Sequence, residues 1–345
     1  MIFLTVVFGF ISGVLGYVFV ALGGNRIPLF GQISISDSGW NNQIVIDQPR
    51  SVVVEQDIQV NQVENDVLPT LVNIYYPKQS TNPISKVYLS SEVLAGGIVI
   101  TADGWIISTK KSFPALVGNY EMVGYQSKNY KISKFIEDKT TGLVFGQSDA
   151  TNLTVAKMGD SSNLHVGQTL AIVSKNNGID LVNIEKIGYK FDASFDLVLS
   201  SEQLDKEIIL NVDLNKEING SALVNLKGEL MGVISGGKVI PVNYFKSIIG
   251  LVLEKKAITR PFLGVKYFDL SHDDGLISYR DRGALVYGNP TKLSPLYNQV
   301  LDGDVIKKID DVEINSNQSL SELISSYKTG DKPEFLVQRG DQELR

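Results

Sequence analysis

The chain of 345 residues contains no cysteine and only two histidines, His165 and His272. The first absence excludes disulfide bonds, thiol nucleophiles and cysteine-ligated metal, but it does not fix the compartment. The scarcity of imidazole is a tighter limit. Any mechanism needing a neutral imidazole base has those two side chains to draw on. Positive charge is also short: 32 Lys and Arg stand against 38 Asp and Glu, a net charge of −6, with a pI near 5.1. A general nucleic-acid binder or anionic-membrane binder carries the opposite balance, so no nucleic-acid partner is expected.

What is present is ordinary globular composition, 43% hydrophobic and 20% charged. It is long enough for two domains and an appendage. The appendage comes first. Ile2 to Gly24 carries no charged side chain. As a helix rising about 1.5 Å per residue it reaches roughly 34 Å, enough to cross a hydrocarbon core of about 30 Å. We read residues 1–24 as a transmembrane signal anchor, with a cleaved signal peptide ending near Ala21-Leu22-Gly23 as the alternative. Residues 25–65 are polar and without helical period. They read as an extended linker, with Ile44-Val45-Ile46 and Val52-Val53-Val54 as candidate short strands and an N-terminal arm for oligomer contacts as the alternative.

From Asp66 onward, short apolar runs alternate with turn signals. Ile98-Val99-Ile100, Asp103-Gly104 and Trp105-Ile106-Ile107 read as a hairpin closed at Asp-Gly. Leu223-Val224-Asn225, Lys227-Gly228 and Leu230 to Ile234 read as another. Such spacing points to an all-β barrel or sandwich. Val242 to Lys256 has helical spacing and reads as one closing helix.

These segments carry a resemblance. Asp66 to Ile74, Ala95 to Ile100, Met158-Gly159-Asp160-Ser161 and Leu164-His165-Val166-Gly167-Gln168 are similar, in order, to segments of the HtrA/Deg family of trypsin-like proteases. Glu217-Ile218-Asn219-Gly220-Ser221-Ala222-Leu223-Val224-Asn225 resembles that family's nucleophile loop. Phe262-Leu263-Gly264-Val265, Gly283 to Val286, Ser294-Pro295 and Asp302-Gly303-Asp304-Val305-Ile306 follow the pattern of a bacterial PDZ domain. The resemblance implies a mainly β chain: a trypsin-like double β-barrel over residues 66–256 followed by a PDZ domain over 257–345. It also implies domains outside the cytoplasm and a homotrimer or a mixed oligomer with active relatives.

At the catalytic positions the resemblance fails. The base position falls on Lys111, the orienting acid on Gly142 and the nucleophile on Asn219. A carboxamide cannot be deprotonated to an attacking alkoxide, glycine orients nothing, and a protonated lysine accepts no proton. Glu217 and Ile218 occupy the oxyanion loop, where a carboxylate repels the charge that develops during acyl transfer. Glu217 is expected to pair with Lys111 in the old cleft. The competing reading is a rebuilt endopeptidase in which Lys111 activates Ser221. His165 falls on a surface loop. His272, in the polar turn Ser271-His272-Asp273-Asp274-Gly275, has no second histidine at ligand spacing, so neither metal nor cofactor is expected.

The PDZ groove keeps its chemistry. Such domains add a peptide as an extra strand and hold its terminal carboxylate on backbone N–H groups. Leu263, Gly264 and Val265 are the expected donors, and Phe262, Leu263, Leu320 and Ile324 the expected apolar pocket. Leu323 belongs either to that pocket or to the domain core. The sequence reading is therefore a membrane-anchored pseudoprotease that binds peptides or protein C-termini.

Overall fold

The linker read as extended over residues 25–65 ends in a helix instead. Val52–Val67 forms α1 in a computed structural model that describes residues 52–345 except 79–85, 114, 117–118, 126, 177, 190–197, 205, 215–218, 255, 272–281 and 316–317. Valine is a weak helix former because branching at Cβ stiffens χ1, which hides the helix from propensity arguments. Here Val63 and Val67 lie one turn apart and are both buried. Val60 is half-buried on the same face. Burial of that valine stripe outweighs the local preference. The expected membrane span lies outside the described residues; among the described residues, no helix is long and apolar enough to cross a membrane.

Six strands then close a barrel: β1 (Leu71–Tyr75), β2 (Ala95–Val99), β3 (Trp105–Thr109), β4 (Tyr120–Val123), β5 (Asn129–Asp138) and β6 (Leu143–Ser148), in the order β1-β2-β3-β6-β5-β4. The first expected hairpin forms, with Ile98 opposite Ile107 and Val99 opposite Ile106. The strand β3 is buried along its whole length, and Trp105-Ile106-Ile107 are consecutive apolar residues because both its faces are covered. Ile106 points into the barrel among Ile74, Phe113 and Met122. Trp105 and Ile107 point the other way, into a core shared with α1 and the next sheet.

That next sheet contains β7 (Lys157–Met158), β8 (Thr169–Ser174), β9 (Gly178–Tyr189), β11 (Lys206–Leu210), β12 (Ala222–Val224), β13 (Glu229–Ser235) and β14 (Lys238–Pro241). The order is β11-β9-β8-β12-β13-β14, with β7 parallel to β13. Between β9 and β11 in sequence lies β10 (Leu199–Ser200), which pairs elsewhere. The second expected hairpin is β12–β13. The single helix expected over Val242–Lys256 is instead two short ones, α2 (Asn243–Lys246) and α3 (Ile249–Leu253). Between them Ile248, at φ −91° and ψ −9°, leaves the helical ladder, and Phe245, Ile248 and Val252 all turn into the shared core.

The third sheet holds β15 (Lys266–Asp269), β16 (Ala284–Val286), β17 (Val305–Ile309), β18 (Val312–Glu313), β19 (Phe335–Arg339) and β20 (Gln342–Leu344). Its order is β10-β15-β16-β17-β19-β20, with β18 beside β17. The helix α4 (Leu320–Ser326) starts with a capping box, Ser319 accepting from Glu322 N–H while the Glu322 carboxylate accepts from Ser319 N–H. Leu320, Leu323 and Ile324 fasten α4 to the sheet beside Leu263 and Tyr267. Charged side chains tie the third sheet's domain to the β-barrel parts. Lys206 Nζ on β11 lies 3.3 Å from Glu322 Oε1 on α4, both side chains almost inaccessible. Arg260 Nη2 reaches Asp138 Oδ2 at 2.6 Å and the Tyr244 carbonyl at 2.9 Å.

Candidate functional site

The turn after β3, Lys110–Ser112, carries Lys111 outward, and its side chain is exposed. Its Nζ lies 3.1 Å from where a Cβ on Gly236 would stand. The same Gly236 donates its N–H to Asn219 Oδ1 at 2.6 Å, so Lys111 and Asn219 converge on one glycine. Gly142 stands beside them in the chain path, its carbonyl accepting Lys110 N–H at 3.0 Å. Asn219 is buried, and its own carbonyl accepts Gly96 N–H at 3.0 Å. The fold thus brings Lys111 and Asn219 to one glycine and sets Gly142 against the backbone of Lys110. Glu217 and Ile218, and with them the expected Lys111–Glu217 pair, lie outside the described residues.

Chain crossing at this point is tight. A Cβ on Gly220, whose φ is +80°, would stand 2.0 Å from the Gly96 carbonyl oxygen. Only glycine fits there. Immediately after it, Ser221 is buried and its carbonyl accepts Ile234 N–H at 3.0 Å. Ser221 lines a cavity of about 510 Å³ with Asn73, Ser174, Lys175 and Asn176. Lys111 is not among the lining residues. Lys175 was not anticipated from sequence; a lysine directly after the mostly apolar strand Thr169–Ser174 was its only signal. Its Nζ donates to the Val123 and Gly124 carbonyls at 2.6 Å each. Burial pulls its pKa down to about 8.

His165 is exposed, with Nδ1 3.5 Å from the Asn163 carbonyl. His272 lies outside the described residues.

The groove expected at Phe262-Leu263-Gly264-Val265 is built as a bend into β15. Gly264 has φ +70°, a conformation that glycine adopts without steric cost. Leu263 and Val265 are buried while Phe262 is half exposed. Leu320, Leu323 and Ile324 of α4 all pack into the same buried cluster as Leu263 and Val265. Beside the loop lies a cavity of about 910 Å³, lined among others by Phe262, Leu263, Leu296, Val300, Ile324 and Tyr327.

The three backbone donors of the loop are all engaged, and by residues of this chain. Glu202 Oε1 accepts Leu263 N–H at 3.0 Å and Gly264 N–H at 2.8 Å. Ser201 Oγ accepts Val265 N–H at 3.0 Å. The strand β10 lies antiparallel to β15, Leu199 opposite Tyr267 and Ser200 opposite Lys266. Nothing local in the sequence singled out Leu199–Glu202: an apolar residue, two serines and a glutamate make no motif.

Comparison with known proteins agrees with this architecture. Residues 261–345 match the family model described as PDZ domain. The chain is 27% identical over 283 residues to the serine protease Do-like HtrA of Lactobacillus helveticus, covering 75% of this chain and 65% of that protein. It is 25% identical to its counterpart in Lactococcus lactis subsp. cremoris, covering 93% and 89%. The chain therefore spans just under two thirds of the first relative's length. Among solved structures, the HtrA-type protease AlgW with tripeptide superposes with a TM-score of 0.54 at 18% identity, covering 83% of this chain and 94% of that one. AlgW with decapeptide gives 0.51 at 19%, covering 83% and 96%. At these identities the superpositions establish a shared fold.

Proposed function

Because the chain belongs to the HtrA/Deg family, in which a trypsin-like domain precedes a PDZ domain, we propose that it captures peptides or protein C-termini and does not cleave them. The observation that carries this reading is the chemistry gathered at Gly236. An exposed lysine amine approaches it, and a carboxamide is spent on its N–H. Glycine stands where the family's orienting acid is expected. Proton abstraction from a nucleophile has no reagent in such a set: neither carboxamide nor glycine is a base, and Lys111 does not line the cavity that holds Ser221. The PDZ loop, by contrast, presents convergent backbone donors that already hold a carboxylate.

The active-enzyme reading moves from Lys111 to Lys175, which shares a cavity with Ser221 and is partly neutral near pH 8. Against it, the Lys175 amine is committed to two main-chain carbonyls. The test is twofold. Peptides with a free C-terminal carboxylate should bind the full chain and their C-terminal amides should not; equal binding of both rejects the carboxylate-capture reading. Fluorescent casein should survive, and cleavage lost in Ser221→Ala would establish the enzyme reading. We further propose that residues 1–24 anchor the domains on the outer side of a membrane, as a homotrimer or mixed oligomer. Fractionation of cells expressing the full chain and a chain lacking residues 1–24 tests this, and equal solubility of the two argues against an anchor.

A further inference from the structure

We propose that the PDZ groove carries its own ligand: Leu199–Glu202, from the connection between β9 and β11, occupies the strand-addition site and gates access to it. This rests on the peptide-binding reading above and adds regulation to the same site.

The segment meets each requirement of a bound peptide. Leu199 and Ser200 add to the sheet edge antiparallel to β15, and Ser201 N–H continues the ladder to the Val265 carbonyl at 3.0 Å. The Glu202 side chain takes the place of a terminal carboxylate on Leu263 and Gly264 N–H. It is held in that pose by Ser201 Oγ at 2.6 Å and Ser200 Oγ at 2.9 Å. Leu199 is buried among the groove's apolar side chains, Leu263, Leu320 and Ile324 included. Sheet edge, donor loop and apolar wall are therefore all taken at once. An external C-terminus needs the same donors, so it binds only in the fraction of molecules whose segment has left, and its apparent affinity falls by that fraction.

The register also says which peptide competes best. With Ser201 standing where a last residue would, Leu199 occupies the position two residues earlier. The self-segment puts nothing into the 910 Å³ cavity beside the loop, since none of Leu199–Glu202 lines it. A peptide ending in Leu-Ser-Phe with a free carboxylate reproduces the Leu199 contact and adds a large apolar side chain for that cavity. Burying such a side chain gives the external peptide a contact the internal segment lacks.

The experiment uses fluorescence anisotropy with a labelled heptapeptide ending in Leu-Ser-Phe, against the full chain. Glu202→Ala removes the internal carboxylate and should tighten binding at least tenfold. A second variant fixes the segment: S200C with K266C, opposite each other on β10 and β15, in a chain with no other cysteine. A pair lacking mutual ladder bonds brings its side chains close enough for a disulfide. The oxidised form should lose peptide binding and dithiothreitol should restore it. If wild type, Glu202→Ala and the oxidised variant all bind equally, the self-ligand is refuted while peptide capture stands. If none binds, Glu202→Ala and the reduced variant included, peptide capture fails and the self-ligand with it.

Discussion

Lys206→Met tests how the third sheet's domain is joined to the rest. The Lys206 and Glu322 side chains are 0% and 5% exposed and meet at 3.3 Å. Without the ammonium, Glu322 is left as a buried carboxylate. Its Oε2 keeps the Ser319 N–H at 3.3 Å, a long hydrogen bond that does not replace a full opposing charge. Leaving one member of a buried pair uncompensated costs about 3–5 kcal/mol, whereas removing both charges together is often close to neutral. Glutamine at position 322 still accepts from Ser319, so the capping box survives the double change. Lys206→Met should therefore lower the unfolding free energy by about 4 kcal/mol, and Lys206→Met with Glu322→Gln should recover at least about 2 kcal/mol of it. Urea denaturation followed by circular dichroism measures both. A single-variant loss under about 1 kcal/mol, or a double variant no better than the single, would refute the assignment of this pair as a coupled, desolvated joint.

Other consequences are independent of that joint. Gly220→Ala drives a methyl group into the Gly96 carbonyl at a positive φ and should cost more than about 2 kcal/mol; a thermal midpoint within about 2 °C of wild type would contradict the tight crossing. Burial pushes the Asp304 carboxyl up, but hydrogen bonds from Arg339 and Leu301 N–H outweigh it and hold the pKa below its ordinary value. A carboxyl depressed on folding stabilises above its unfolded pKa of about 3.9 and loses that contribution as pH falls through the folded value. The stability gap between wild type and Asp304→Asn should accordingly narrow below about pH 4, and a gap constant down to about pH 2 would exclude the linkage. Lys175, lowered to about 8, has a folded state that binds fewer protons than the unfolded chain between that pH and about 10.4, so stability due to this group rises across the window. Amine acylation read by mass spectrometry should show Lys175 reacting with a midpoint near pH 8, and a midpoint at the ordinary lysine value would overturn the burial argument.

Much of the architecture was legible because it is local. Both hairpins were marked by Asp103-Gly104 and Lys227-Gly228 between short apolar runs, and the loop at Phe262–Val265 by its glycine and flanking apolar residues. The helix α1 was hidden because its buried face is made of valines, whose intrinsic preference is for strands; the barrel that covers Val63 and Val67 is not written in that segment. The break at Ile248 was hidden because both short helices follow the same apolar period. Long-range partners left no trace at all. Glu202 gives no hint that its acceptors' donors lie more than sixty positions away at Leu263 and Gly264, nor Lys206 that its counter-ion sits on α4. Strand addition at a sheet edge is specified by main-chain geometry, which any sequence of the right shape satisfies. The positions matched to the family's catalytic residues come from motif alignment alone, and the fold adds that Lys111 and Asn219 meet at Gly236.

The central claim is that this chain holds peptides without cutting them. An intact-mass time course on an unfolded peptide with a free C-terminus, bound to the full chain at neutral pH, measures it directly. The peptide should be recovered at its starting mass after prolonged incubation. Accumulating internal fragments, absent with Ser221→Ala or Lys175→Met, would contradict it.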